Sequence, residues 1–158
     1  VFVYASVSPE STLASELQAA GIEYLSSSTV PPKELSNWVG QADIVLDTSG
    51  DAQICLSLLP SAARNGVLVI LELPLGAAPA DFDSAELVRS LVLSNQVILG
   101  CVRSNRRHFE EGITALERLH STFPGLLPRL LSHRYPLSQL RDALEASGPA
   151  VIKVIVEP

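Results

Sequence analysis

The run Val97-Ile98-Leu99-Gly100-Cys101-Val102 is apolar in the manner of a buried strand, and from Arg106 to Leu119 the chain takes up helical spacing, with Phe109, Ile113, Leu116 and Leu119 on one stripe. Between the two lies a polar loop, Arg103-Ser104-Asn105. A strand that hands over to an amphipathic helix through a polar loop is the repeating unit of α/β proteins, whose ligands bind beyond the carboxyl ends of the strands. This junction predicts both a fold class and the place to look for a site.

The rest of the chain repeats the alternation. Val1 to Tyr4 and Ile22 to Leu25 are short strand candidates. They flank a helix that Ser8 caps, Pro9 opens and Gly21 stops, with Leu13, Leu17, Ala14 and Ala20 forming a narrow apolar stripe. After a loop through Ser26 to Thr29 and Pro31-Pro32, Leu35, Trp38 and Val39 predict a short helix, and Asp43 to Asp47 a strand running into Thr48-Ser49-Gly50. A helix from about Ala52 puts Ile54, Cys55, Leu58 and Leu59 on one face until Pro60 kinks or ends it. Asn65-Gly66 reads as a turn and Val67 to Glu72 as a fully buried strand leaving through Leu73-Pro74-Leu75-Gly76. Pro79 and Asp81 fall in a loop, and Ser84 caps a helix carrying Leu87, Leu91 and Val92.

Beyond the long helix, Phe123-Pro124-Gly125 is a stop and Leu126 to Leu131 one further turn. Arg134 to Ser138 leads into a helix with Leu140 and Leu144, Gly148-Pro149 breaks it, and Val151 to Val156 is a last strand. Five or six strands alternating with helices predict a mostly parallel sheet with helices on both faces, since each crossover helix must bury its stripe against the sheet.

At 158 residues, 47% of them hydrophobic and 18% charged, the chain has enough apolar matter for one buried domain, and no linker divides it. A net charge of −6 argues against a nucleic-acid surface. The longest apolar run, Val67 to Leu71, is far short of the ~20 residues that cross a bilayer, so no membrane partner is expected. Two cysteines make no disulfide framework; Cys55 and Cys101 read as small buried thiols of a reducing compartment, which implies a cytoplasmic home. No C-x-x-C, H-E-x-x-H, G-x-S-x-G or G-x-G-x-x-G occurs, which leaves zinc-ligand, serine-hydrolase and pyrophosphate-turn signatures without a seat in this chain. Methionine is absent and Val1 already opens a strand, so the sequence reads as a piece of a longer protein.

Several segments occur together in an order that resembles the glucose dehydrogenases of the medium-chain alcohol dehydrogenase superfamily, in the C-terminal half of their nucleotide-binding domain. They are the opening strand with Pro9, Gly21-Ile22-Glu23-Tyr24, Asp47-Thr48-Ser49-Gly50, Asn65-Gly66-Val67 and Gly100 to Phe109. Asn105-x-x-His108-Phe109 points to the sugar-oxidising branch, while Tyr135-Pro136-Leu137 and Ile152 to Glu157 are widespread in the superfamily. The resemblance implies a partial Rossmann nucleotide-binding domain over residues 1–158 whose first strand and glycine-rich turn belong to an upstream segment. Residues 126–158 would pack on a neighbouring catalytic domain absent from this chain. It further implies an oxidoreductase passing hydride between a sugar or alcohol carbon and a nicotinamide cofactor, inactive as this fragment alone, with zinc held only upstream. A homo-oligomer paired through the Val97–Val102 edge is also implied. A non-catalytic Rossmann-like module for assembly or nucleotide sensing is the alternative.

The same resemblance assigns a cofactor path. Where similar enzymes carry an acidic residue or arginines at the end of the second strand, this chain has Ala5-Ser6-Val7-Ser8; Ser6 and Ser8 can bind a phosphate or hydroxyl, which favours NADP over NAD. Thr48, Ser49 and Gly50 would meet the adenosine ribose, or form only a strand-to-helix turn capped by Asp51 or Ser49. Leu73 and Pro74 would back the nicotinamide, or merely reverse the chain. Val102, Arg103, Ser104 and Asn105 would offer donors to its carboxamide, with Arg103 standing where similar enzymes favour Asn. Arg106 and Arg107 read as solvated partners of Glu110 and Glu111, His108 as a hydrogen-bonded or packing histidine, and Asp43 and Asp47 as solvated strand-end acids.

Overall fold

The computed structural model describes residues 1–74, 83–148 and 150–158. The expected exit through Leu75-Gly76, the loop at Pro79 and Asp81, and the break at Pro149 lie outside the described residues. Every strand pair is parallel, and the strands form three separate sheets, β1-β2, β3-β4-β5 and β6-β7. The chain divides into two compact units, Val1–Thr29 with Ser104–Pro158, and Val30–Arg103.

The first unit opens with β1 (Phe2–Ala5), α1 (Thr12–Ala19) and β2 (Glu23–Ser26), β1 and β2 pairing from Phe2↔Glu23 to Ala5↔Ser26. The helix cap is not Ser8. Ser11 takes that position, its Oγ accepting the Ala14 N–H at 3.2 Å, while Ser8 Oγ accepts the Glu10 N–H in the preceding turn. The Ser11 N–H donates to the Ser8 carbonyl, so Pro9 lies in a turn that ends where the helix starts. Tyr24 fixes this turn from β2, its hydroxyl donating to the Val7 carbonyl at 2.8 Å.

The same unit holds α5 (Arg106–Thr122), α6 (Leu126–Leu130), β6 (His133–Pro136), α7 (Leu140–Glu145) and β7 (Val154–Glu157). Gly125, at φ +85, makes the left-handed turn between α5 and α6. Strand β6 was not expected, because His133-Arg134-Tyr135-Pro136 has neither an apolar run nor a free proline N–H. It forms because β7 pairs with it, and Ser132 ties the approach by accepting the Ile152 and Lys153 N–H groups at 2.9 and 3.2 Å.

The second unit carries α2 (Leu35–Val39), β3 (Ala42–Asp47), α3 (Ala52–Ser57), β4 (Ala62–Ile70), α4 (Ser84–Ser94) and β5 (Val97–Gly100). Pro60 sits in a single 3₁₀ turn that follows α3. Asp83, rather than Ser84, caps α4 by accepting the Ala85 and Glu86 N–H groups. Asn65-Gly66 is not a turn between elements; it lies inside β4, opposite the register shift between Ala42 and Ile44. Asn65 adopts φ 63, and a Cβ on Gly66 would stand 2.7 Å from the Ala63 carbonyl oxygen, so the pair forms a tight bulge that only this side-chain economy permits.

Leu68 of central β4 is fully buried, with Leu58, Leu59 and Ala62 also in the core. The register puts Ile44, Val67 and Val97 on one face, followed by Leu46, Val69 and Leu99. Ile44, Leu46, Val97 and Leu99 of the flanking strands are all more than half exposed, and Val67, Val69 and Ile70 are only half-buried, so β4 is not the fully buried strand its composition predicts. Cys101, expected to be buried, is exposed, because β5 ends at Gly100; Cys55 is buried in α3.

Candidate functional site

Parallel pairing places the carboxyl ends of β3, β4 and β5 side by side, with Asp47 opposite Ile70 and Ile70 opposite Gly100. The chain segments that leave those ends are therefore neighbours, and they are the three that carry Thr48 to Gly50, Leu73-Pro74, and Val102-Arg103. Backbone hydrogen bonds continue the ladder past the strands. The Leu71 N–H donates to the Asp47 carbonyl and the Cys101 N–H to the Ile70 carbonyl, each at 2.9 Å.

Gly50 brings the first two segments into contact. It adopts φ +64, and a Cβ there would lie 3.0 Å from Glu72 Cγ and 3.3 Å from the Leu73 carbonyl oxygen. Its role in the structure is thus close approach of one loop to another. The two hydroxyls beside it differ. Ser49 Oγ accepts the Asp51 N–H at 3.2 Å and is used in shaping the turn, whereas the Thr48 hydroxyl is exposed and has no partner among the described residues. Asp51 caps α3 by accepting the Gln53 and Ile54 N–H groups at 2.8 and 3.1 Å, so the turn-and-cap arrangement is present together with an available hydroxyl.

Asp47 was expected as a solvated strand-end acid like Asp43. Asp43 is exposed, but Asp47 is only 3% exposed. Its Oδ1 accepts the Ser49 N–H at 3.1 Å, and it also meets the Cys55 thiol of α3. Burial first, then the negative charge of Asp47 and its hydrogen bond to the sulfur, push the Cys55 thiol up to about 11. A sequence signal existed: aspartate two residues before a serine at a strand end is the pattern of an Asx turn.

Val102 is exposed, and Arg103 adopts φ +73, a left-handed conformation that few non-glycine residues take. The Arg103 guanidinium has no partner among the described residues, unlike Arg106 and Arg107, which pair with Glu110 and Glu111 at 2.7 and 2.8 Å.

Ser6, Ser8, Ser104 and Asn105 lie in the first unit. Ser6 follows the carboxyl end of β1, exposed and without a partner among the described residues, while Ser8 is engaged by the Glu10 N–H. Asn105 caps α5 reciprocally: its Oδ1 accepts the His108 N–H at 3.1 Å, and its own N–H donates to His108 Nδ1 at 3.3 Å. His108 is thereby occupied as a hydrogen-bonded residue of the helix start. A hollow along α5, lined by Glu110, Glu111, Thr114, Ala115 and Arg118, is an open groove on a single helix rather than a cavity. Among the described residues, no three His, Cys, Asp or Glu side chains are grouped to hold a metal ion, and no helix is long and apolar enough to cross a membrane.

Comparison with known proteins places these features in a family. The chain is 31% identical over 157 residues to a glucose 1-dehydrogenase of Methanocella arvoryzae, an alignment covering 99% of this chain and 44% of that relative. It superposes on Haloferax mediterranei glucose dehydrogenase, solved in complex with NADP, Zn and gluconolactone, with a TM-score of 0.86 and 22% identity over 99% of this chain and 43% of that one. An alcohol dehydrogenase of Thermotoga maritima gives a TM-score of 0.81 and 25% identity over 100% of this chain and 43% of its own. The chain thus spans less than half the length of these relatives, and the fold is that of the Rossmann-type dehydrogenases. The family described as glucose dehydrogenase C-terminus matches residues 2–158, and the chain belongs to it.

Proposed function

We propose that this chain is the nucleotide-binding portion of an NAD(P)-dependent dehydrogenase that oxidises a sugar or an alcohol. The observation that carries the reading is the adjacency of three loops at the carboxyl ends of three neighbouring parallel strands, with the Thr48 hydroxyl unpartnered among the described residues, in a chain of the glucose dehydrogenase C-terminus family. In the second unit Thr48 is the hydroxyl available to a ribose, and Leu73, Pro74 and the Val102-Arg103 backbone would border the nicotinamide end; in the first unit Ser6 is the hydroxyl available to a phosphate, and Ser104 and Asn105 offer further polar groups. The bound cofactor supplies a hydride acceptor. NADP is preferred, on the serine-rich Ala5-to-Ser8 stretch and on its presence in the Haloferax mediterranei relative.

The glycine-rich turn that lays a pyrophosphate on a helix N-terminus, the first strand of the Rossmann fold and the zinc ligands would come from an upstream segment. Residues 126–158 would pack on the catalytic domain that this segment completes. The exposed β5 edge with Val97 and Leu99 favours a homo-oligomer, and the two free cysteines a cytoplasmic home. Calorimetric titration of the full-length gene product with NADPH and NADH, beside a glucose-dependent absorbance assay, tests the reading. Binding with turnover is expected; no binding of either dinucleotide would sink it and favour a non-catalytic module.

A further inference from the structure

We infer that the buried carboxylate of Asp47 is a positioning residue, which holds Thr48-Ser49-Gly50 in the shape that presents the Thr48 hydroxyl to a bound dinucleotide; this rests on reading the loop as part of a nucleotide site. A carboxylate withdrawn from water is destabilised unless its hydrogen bonds replace hydration. Asp47 has no basic partner among the described residues, and the groups that meet it are the Ser49 N–H and the Cys55 thiol. Both belong to the turn-and-helix segment that follows the strand.

These contacts close a ring. Asp47 accepts from the Ser49 N–H, Ser49 Oγ accepts the Asp51 N–H, Asp51 accepts the Gln53 and Ile54 N–H groups at the start of α3, and that helix returns Cys55 to Asp47. The Asp47 backbone takes part as well, since its carbonyl accepts the Leu71 N–H from the next loop. Inside the ring sits Thr48, which spends no hydroxyl on it, and at its exit Gly50 meets Leu73. One side chain therefore sets both the Thr48 backbone and the contact between two loops of the candidate site. Its removal leaves the Ser49 and Asp51 side chains as the remaining side-chain ties of the turn.

The test uses the full-length gene product, NADPH affinity by fluorescence titration, and hydrogen exchange at the Ser49 amide. Asp47→Ala is expected to weaken NADPH binding about tenfold, the loss of one hydrogen bond to a charged group, and to accelerate Ser49 exchange. Asp47→Asn keeps an acceptor for the Ser49 N–H and is expected to restore affinity to within about threefold of wild type, while an Asp47→Asn protein that binds as weakly as Asp47→Ala would overturn the loop-holding role. Should Asp47→Ala not fold, Asp47→Leu, which fills the volume of the side chain but offers the Ser49 N–H no acceptor, gives the same readout. Variants that bind NADPH like the wild type would overturn the inference and leave the proposed function standing. A wild-type protein that binds no dinucleotide would overturn both.

Discussion

Gly50 approaches Leu73 so closely that a Cβ on the glycine would stand 3.3 Å from the Leu73 carbonyl oxygen. Gly50 also adopts φ +64, where an L side chain is strained. Gly50→Ala therefore meets two costs at once and is expected to destabilise the protein by about 1–3 kcal/mol, read as a lower denaturation midpoint. Because the crowding separates the Thr48 loop from the Leu73 loop, NADPH affinity is expected to fall in parallel in the full-length gene product.

The reciprocal cap at the start of α5 makes a second prediction. Asn105→Ala removes the acceptor for the His108 N–H and is expected to cost about 0.5–2 kcal/mol, whereas Asn105→Asp keeps the acceptor and should be near neutral. His108→Ala removes the acceptor for the Asn105 N–H, an exposed contact, and should cost less than Asn105→Ala. Urea unfolding of the variants orders them; equal losses would refute the cap as the reason for Asn105.

The sequence carried the element order because helices with apolar stripes and short apolar strands alternate from Val1 to Val156, and that pattern alone requires a parallel sheet. What it did not carry was decided by contacts between distant residues. Asn65-Gly66 has the composition of a turn, but pairing with β3 absorbs it as a bulge. His133 to Pro136 has no strand character of its own and acquires it from β7. In the candidate site, the loops after β3, β4 and β5 were legible as loops. Their meeting at Gly50 and the burial of Asp47 depend on register and on the approach of Glu72, which local spacing does not encode.

Arg103 is held at φ +73 with a guanidinium that no described residue engages. Asparagine enters the left-handed region with less strain, so Arg103→Asn is expected to stabilise the protein by about 0.5–1 kcal/mol in thermal unfolding. If the loop backbone makes the cofactor contact, NADPH affinity should change less than about threefold. A loss of tenfold or more, diminishing with added salt, would instead assign the guanidinium itself to the ligand.

The two thiols should separate cleanly by reactivity and by pH. Cys101 is exposed and is expected to react at once with a thiol reagent, whereas Cys55 is buried beside Asp47 and should react only on unfolding. The Cys55 thiol is raised from its ordinary 9.0 to about 11, so the folded chain keeps a proton that the unfolded chain gives up. The contribution of this group is fully present below pH 9 and is lost as pH rises toward 11, a fall of about 2 kcal/mol over that window. Cys55→Ala removes the group and should flatten this alkaline limb, leaving the weaker slope from Tyr4 and Tyr24, whose hydroxyls burial also raises. Urea midpoints of wild type and Cys55→Ala measured from pH 8 to 10.5 check the sign; parallel curves would show that Cys55 does not couple to folding there.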